Sequence, residues 1–200
     1  MPFQIPLGSV VIRLCGETET QAAATFIQEE MFARYGSTPP LAGTTLLAYV
    51  DSVLVGTFGF DLCGPQHCFP FERFYHLTPE QDLPVPRCCQ CFYYSRWVAV
   101  MQSVSLPLLY ATTVAGLRQG KVFGWAVMKP GVVGVLRRAG VIASVRRTVF
   151  LPENLTARQG NYYTTVPMPQ LYLLELEQVQ TALEPKIRSL IVAEKLLLDF

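Results

Sequence analysis

The residues best suited to chemistry crowd into one stretch, Cys91 to Met101 (CFYYSRWVAVM), where Arg96 stands alone as a cation in an otherwise apolar, aromatic run. A guanidinium among apolar neighbours needs an anion, because burying it unpaired is costly. It either clamps a carboxylate from outside by paired hydrogen bonds or closes an ion pair within the protein. Tyr93 and Tyr94 stand just before it. A phenol with an ordinary pKa of about 10 is a poor base but a usable acid. Candidate bases lie outside the run, in Asp61, Glu72 and His76; His67 and His76 read equally well as exposed loop residues.

Other signatures point away from familiar chemistries. The chain has no G-x-S-x-G elbow, and Gly56-x-x-Gly59 is a strand feature because no helix follows it. Cys63 and Cys68 with Cys88 and Cys91, and His67 beside the first pair, have the residue types of a tetrahedral zinc site. The spacing between the pairs is loose, so the expectation is buried, reduced thiols and no metal.

These residues need elements to position them. Ser9–Cys15 is read as a strand, followed by a helix over Glu17–Tyr35 whose stripe is Ala23, Phe26, Ile27, Met31 and Tyr35, stopped by Gly36. Thr44–Val50 and Val53–Asp61 make a hairpin around Asp51-Ser52. Residues 62–90 carry five prolines and form an irregular insertion with a helical turn at most. Its Phe69, Phe71, Phe74 and Tyr75 must pack, so it reads as a lid over the site.

The run from Cys91 is the strongest strand signal in the chain. A helix capped by Ser103 or Ser105 runs from it to Gly120, with Pro107 in its first turn. Val122–Val127 is a buried strand, Gly131–Ala139 a short helix, and Val141–Leu151 and Gln170–Leu174 further strands. Residues 175–200 read as a helical tail broken near Pro185.

Half the residues are hydrophobic and 16% are charged, an apolar balance that suits either an internal apolar channel or a buried interface. Apolar runs stay short of the roughly 20 residues that span a bilayer, so no stable membrane insertion is expected. The first residues lack the basic start and cleavage site of an export signal, and the expected location is the cytoplasm. Between Thr112 and Gly160 stand eight basic residues and one acidic one, Glu153. Such a lobe steers an acidic partner, or it is simply a solvated face. The arginines come in pairs without interleaved exposed aromatics, so nucleic acid is not the expected partner.

Several segments resemble one superfamily. Phe123–Val141 (FGWAVMKPGVVGVLRRAGV) resembles the fifth strand and following helix of the GCN5-related N-acyltransferases. Tyr94–Val100 (YSRWVAV) is similar to the Ser-Arg-Phe segment on the fourth strand of acyl-homoserine-lactone synthases. Ala33–Phe60 resembles the opening of the thermostable hemolysin family and of N-acyl amino acid synthases. The likeness covers roughly residues 9–150 and implies an α/β (α+β) fold in a single domain, 1–200, with a central mixed sheet of about seven strands flanked by helices.

It further implies an N-acyltransferase that moves a medium- or long-chain acyl group onto the amine of an amino acid or similar small molecule. Met101–Leu109 (MQSVSLPLL) lacks the glycines with which coenzyme A-dependent members approach a pyrophosphate. That departure favours an acidic acyl carrier protein over acyl-CoA as donor, with Arg137, Arg138, Arg146 and Arg147 as its docking residues. No cofactor is implied beyond the acyl-phosphopantetheine thioester itself. Trp97, Val98, Val100, Met101, Phe123 and Trp125 would hold the arm and acyl chain, or be plain core. Arg96 would position the acceptor, with Tyr93 or Tyr94 as acid and Glu72 among the possible bases. The synthases carry a glutamate where this chain has Tyr93, so the alternative is a silent relative that binds a lipid or a partner protein.

Overall fold

The computed structural model describes residues 9–62, 69–77, 90–159, 161–192 and 196–199. β1 (Val10–Leu14) leads through a 3-10 turn at Glu17–Glu19 into α1 (Thr20–Tyr35). Gly36 ends α1 in the left-handed region at φ 62°, where a residue without Cβ is unstrained. β2 (Thr44–Val50) and β3 (Val53–Leu62) form the expected hairpin. Its turn residues, Asp51 and Ser52, both have positive φ, 51° and 67°, as a type I′ turn requires to match the strand twist.

Next come β4 (Tyr75–Leu77), β5 (Cys91–Ala99), α2 (Ser105–Arg118), β6 (Phe123–Met128) and α3 (Pro130–Arg138). The chain continues with β7 (Ser144–Val145), β8 (Thr148–Phe150), β9 (Gln170–Glu175), α4 (Leu176–Val192) and β10 (Leu196–Asp199). The main sheet runs β10-β1-β2-β3-β5-β6-β9-β7, and β4 pairs with β8 in a second, two-stranded sheet. Two of the main sheet's pairings are parallel, β1 with β10 and β5 with β6; the others are antiparallel.

Side chains alternate across this sheet and divide the core in two. Phe92 and Tyr94 of β5 and Ala126 and Met128 of β6 face α2, α4 and Leu136 of α3. Cys91 and Tyr93, with Trp125 and Val127, face the other way, towards Phe69, Phe71 and Phe74 and the segment holding Tyr162 and Tyr163. Gly124 permits one tight packing: an added Cβ would stand 2.3 Å from the Tyr94 ring on the neighbouring strand.

The expectations fail at four places, each for a physical reason. The main sheet has eight described strands, in line with the expected mixed sheet of about seven, but the tail does not stay helical. α4 passes through Pro185 unbroken, and the chain then returns as β10 beside β1. An interior proline costs a helix about 3 kcal/mol. Here it is outweighed by Leu176, Val179, Leu183 and Ile187, all buried along one stripe, at roughly 1.5 kcal/mol or more each.

Val141–Leu151 is two short strands in two sheets, with Arg146-Arg147 carrying the chain from one to the other. No serine side chain caps α2; a 3-10 turn at Gln102–Val104 feeds it directly. The 62–90 insertion does contain the expected helical turn, Pro70–Arg73, and in β4 a strand that its three-residue length concealed.

Candidate active site

β5 and β6 run side by side only from Cys91/Phe123 to Tyr94/Ala126. Beyond that point β5 continues to Ala99 with β3 on one flank and no ladder partner on the β6 side among the described strands. The parting coincides with a bulge. Thr57 faces Val98 and Gly59 faces Ser95, so Phe58 stands opposite both Arg96 and Trp97. Arg96 absorbs the extra residue at φ 55°, a left-handed backbone that costs a side chain-bearing residue about 1–2 kcal/mol. Bulges of this kind re-aim side chains and end pairing beside functional sites.

A cavity of about 950 Å³ runs through this gap and takes its walls from both faces of the sheet. At the α2–α3 end the walls are mainly aliphatic, from Leu106, Leu109, Val132, Leu136 and Leu174, with the Phe58, Tyr94 and Trp97 rings beside them. At the other end they are aromatic and cationic, from Tyr35, Tyr93, Tyr162, Tyr163, Arg73 and Arg158. Asp61 and Arg96 lie between the two.

The Arg96 guanidinium donates to Asp61, Nη1 to Oδ2 at 2.5 Å, and to the Ser95 hydroxyl. Ser95 donates in turn to Asp61 Oδ2 at 3.0 Å, and the Gly43 N–H donates to Oδ1 at 2.8 Å. Asp61 is therefore held by three donors, and Arg96 is an internal ion pair on the cavity wall. Both side chains keep some access, 15% and 17% exposed.

Tyr93 and Tyr94 point to opposite faces. Tyr94 is buried, and burial pushes its phenol well above the usual range. Thr113 spends its proton on the Leu109 carbonyl, so Tyr94 donates to Thr113 at 2.7 Å. Tyr93 faces the tyrosine end, where burial and the nearby Tyr162 raise its phenol and the Tyr163 hydroxyl is its side-chain partner. Burial raises Tyr162 and Tyr163 as well, so these three phenols stay neutral at ordinary pH. Tyr162 donates to the Val127 carbonyl at 3.1 Å. The Lys129 ammonium lies 5.4 Å from the centres of both the Tyr35 and Tyr162 rings, with its pKa lowered by burial.

Of the other residues singled out from sequence, Trp97 and Val98 line the cavity, Trp97 stacked on Phe58 at 4.9 Å. Val100 is exposed; Met101, Phe123 and Trp125 pack into the two cores away from the walls. Glu72 sits on the turn beside Arg73, and it is Arg73 that reaches the wall. His76 is exposed on β4. Arg137 and Arg138 are exposed at the end of α3 and Arg147 is exposed; Arg146 is half-buried, its Nε without a hydrogen-bond partner among the described residues. Cys63, Cys68, Cys88 and His67 lie outside the described residues, Cys91 is buried on β5, and no metal-holding group occurs among the described residues.

No protein-family profile matches the chain, and no curated protein sequence does. Solved structures do match, over nearly the whole chain. The acyl-homoserine-lactone synthase LasI aligns with a TM-score of 0.59 at 15% identity, covering 89% of this chain and 96% of its own. TofI, solved with an inhibitor and MTA, gives 0.60 at 14%, covering 88% and 96%. FeeM, an N-acyl amino acid synthase from uncultured soil microbes, gives 0.57 at 14%, covering 88% and 95%. The fold is that of the GCN5-related N-acyltransferases. Within it, the parted strands and the bulge at Arg96 are the features that open the cavity in this chain. The tyrosine end was missed from sequence because Tyr162 and Tyr163 fall in a stretch without helix or strand periodicity. The signal available there was two adjacent aromatics in a polar loop, which have to pack on something.

Proposed function

We propose that the chain is an acyltransferase that moves a medium- or long-chain acyl group from a phosphopantetheine thioester to a small amine, an amino acid or a close relative. The observation that carries this is the cavity through the β5–β6 gap, bordered by a strand edge without a ladder partner among the described strands and lined at one end by apolar side chains. An unpaired strand edge offers hydrogen bonds to an extended, amide-containing arm such as pantetheine. The aliphatic end takes the acyl chain, whose burial is worth about 0.8 kcal/mol per methylene. An acidic acyl carrier protein delivers the arm, guided by Arg137 and Arg138; Met101–Leu109, where the glycines of a pyrophosphate loop would stand, argues for a carrier protein rather than coenzyme A.

In the reaction the amine nitrogen attacks the thioester carbonyl, the C–N bond forms, and the C–S bond breaks. Asp61, the carboxylate on the described cavity wall, or solvent takes the proton the amine gives up. Tyr93, directed at the tyrosine end, returns a proton to the departing thiolate. Tyr94, committed to Thr113, serves the core.

The test is thiol release by the purified protein, with decanoyl and acetyl thioesters of an acyl carrier protein and of coenzyme A, and amino acids as acceptors. Release that depends on both acceptor and decanoyl chain is the expected outcome. Absence of release from every donor rejects the proposal. A second reading, a silent relative that binds a lipid, is favoured by the three donors that already occupy Asp61. It predicts binding of fatty acyl compounds without release.

A further inference from the structure

The cavity walls carry an unbalanced set of charges. Among the described residues that line it, four arginines (Arg34, Arg73, Arg96, Arg158) stand against one carboxylate, Asp61. Two of the four are accounted for. Arg96 is paired with Asp61, and Arg34 with Glu30 one helical turn away at 3.0 Å. Arg73 and Arg158 have no carboxylate within ion-pairing distance among the described residues, although both stand at the wall and both are solvent-exposed.

Their backbones are pinned. The Arg73 carbonyl accepts from Asn154 Nδ2 at 2.8 Å, and the Arg158 carbonyl accepts from the Ser37 hydroxyl and the Thr38 N–H, both at 2.9 Å. Two arginines thus stand at the tyrosine end on turns whose backbones are hydrogen-bonded to neighbouring segments, Pro70–Arg73 and Ala157–Gln159, with no carboxylate paired to them among the described residues. The nearby phenols of Tyr93, Tyr162 and Tyr163 are neutral and do not supply one.

We infer that Arg73 and Arg158 form an anion clamp at the mouth of the tyrosine end, which selects an amine acceptor that also carries a carboxylate. This rests on the acyltransferase reading above. Guanidinium groups suit the task because their fork of donors matches a carboxylate in two-point geometry. The two ends of the cavity then divide the product: acyl chain among the leucines, carboxylate at the arginines, new amide between them in the strand gap. A donor phosphate belongs elsewhere on this geometry, since the arm follows the β5 edge towards Gln102 and Ser105 at the start of α2. The clamp also takes over the role that sequence assigned to Arg96, whose charge Asp61 already satisfies.

Calorimetric titration separates these possibilities without needing turnover. The ligands are N-decanoylglycine, the neutral N-decanoylethanolamine, and 4′-phosphopantetheine, each against the wild-type protein and the Arg73→Gln, Arg158→Gln and double variants. Wild type should bind the carboxylate about tenfold more tightly than the ethanolamide, as expected for a charge-assisted hydrogen-bond pair. Each single variant should shrink that ratio and the double variant abolish it, with ethanolamide binding unchanged, which also reports an intact fold. Equal binding of both amides by wild type overturns the clamp and leaves the acyltransferase reading standing. A loss in the double variant confined to phosphopantetheine overturns the acceptor assignment and moves the arginines to the donor. Failure of wild type to bind either amide removes the acyl-cavity reading and the clamp with it.

Discussion

The two ends of the cavity are built from the same strands yet differ in nearly every property. On β6, Ala126 and Met128 look towards α2 and α3, while Val127 looks towards Tyr162, whose hydroxyl it accepts through its carbonyl. One residue of strand register separates a mainly aliphatic pocket from an aromatic one bordered by arginines. The aliphatic end sits under α2 and α3, whose Leu106, Leu109 and Leu136 line it, and the Tyr94 hydroxyl beside it is already spent on Thr113. The aromatic end sits under short 3-10 turns and loops, whose irregular backbone brings arginine and tyrosine side chains to one place. The contrast teaches that a single opening in a sheet can sort a ligand by polarity, tail to one face and head to the other.

The contrast is broken most strongly at the aliphatic end. Leu136 is 1% exposed and lines the cavity from α3, so Leu136→Ala should cost about 3 kcal/mol in chemical denaturation. The enlarged end should also favour acyl chains longer than those the wild type prefers. A destabilised variant with unchanged chain preference would show that the acyl chain does not lie there.

Between the ends, Asp61→Asn leaves Arg96 without its counter-charge. Removing one partner of a fully buried pair costs 3–5 kcal/mol; the partial exposure here reduces the expected loss to about 2 kcal/mol. The same variant sharpens the question of the base. Thiol release should fall more with Asp61→Asn than the stability loss explains if Asp61 takes the amine proton, and in proportion to it if Asp61 only holds Arg96.

How much of this was legible beforehand follows the same division. The aliphatic end comes from α2, β6 and α3, whose periodicity and terminators place them within a few residues in the sequence. The strand carrying Arg96 was equally plain. Its bulge was not, because a positive φ at an arginine leaves no residue-type signal of the kind glycine provides. The partner Asp61, at the far end of a hairpin, was visible only as a possible base. The tyrosine end depends on Arg73, Arg158, Tyr162 and Tyr163, brought together by turns of three or four residues and by a two-stranded sheet whose strands are three residues each. Elements that short have no period to detect. β10 escaped for the same reason, four residues whose placement beside β1 is decided by α4 and not by their own sequence.

At the tyrosine end, alkali offers a gentler probe. Burial pushes the Tyr75 phenol up to about 12, and its hydroxyl donates to the Pro169 carbonyl at 2.8 Å. Its unfolded value is about 10, so between roughly pH 10 and 12 the folded protein keeps a proton that the unfolded chain has released. The stabilisation is complete below pH 10 and is lost as pH rises through the folded value. Tyr75→Phe should cost about 1 kcal/mol at pH 7 from the lost hydrogen bond, and should make the alkaline fall in stability less steep. An unchanged slope would mean that Tyr75 is not among the groups that couple this end to pH.

The smallest stability effect should come from the outer surface beyond the aliphatic end. Arg137 and Arg138 occupy the last turn of α3, exposed, where a cation gains a few tenths of a kcal/mol from the helix C-terminus. Replacing both by glutamine should therefore leave the denaturation midpoint nearly unmoved. If a carrier protein docks on this side, the variant should slow transfer from carrier-bound donors at low salt, and the difference from wild type should fade as ionic strength rises, since long-range steering is screened beyond about 10 Å at 0.1 M salt. Transfer from a free pantetheine thioester should be unaffected, because that donor needs the cavity but no docking surface. Equal slowing with both donors would mean that the arginines act on the cavity through α3, from which Leu136 reaches the wall, and the acidic carrier would lose its proposed landing place.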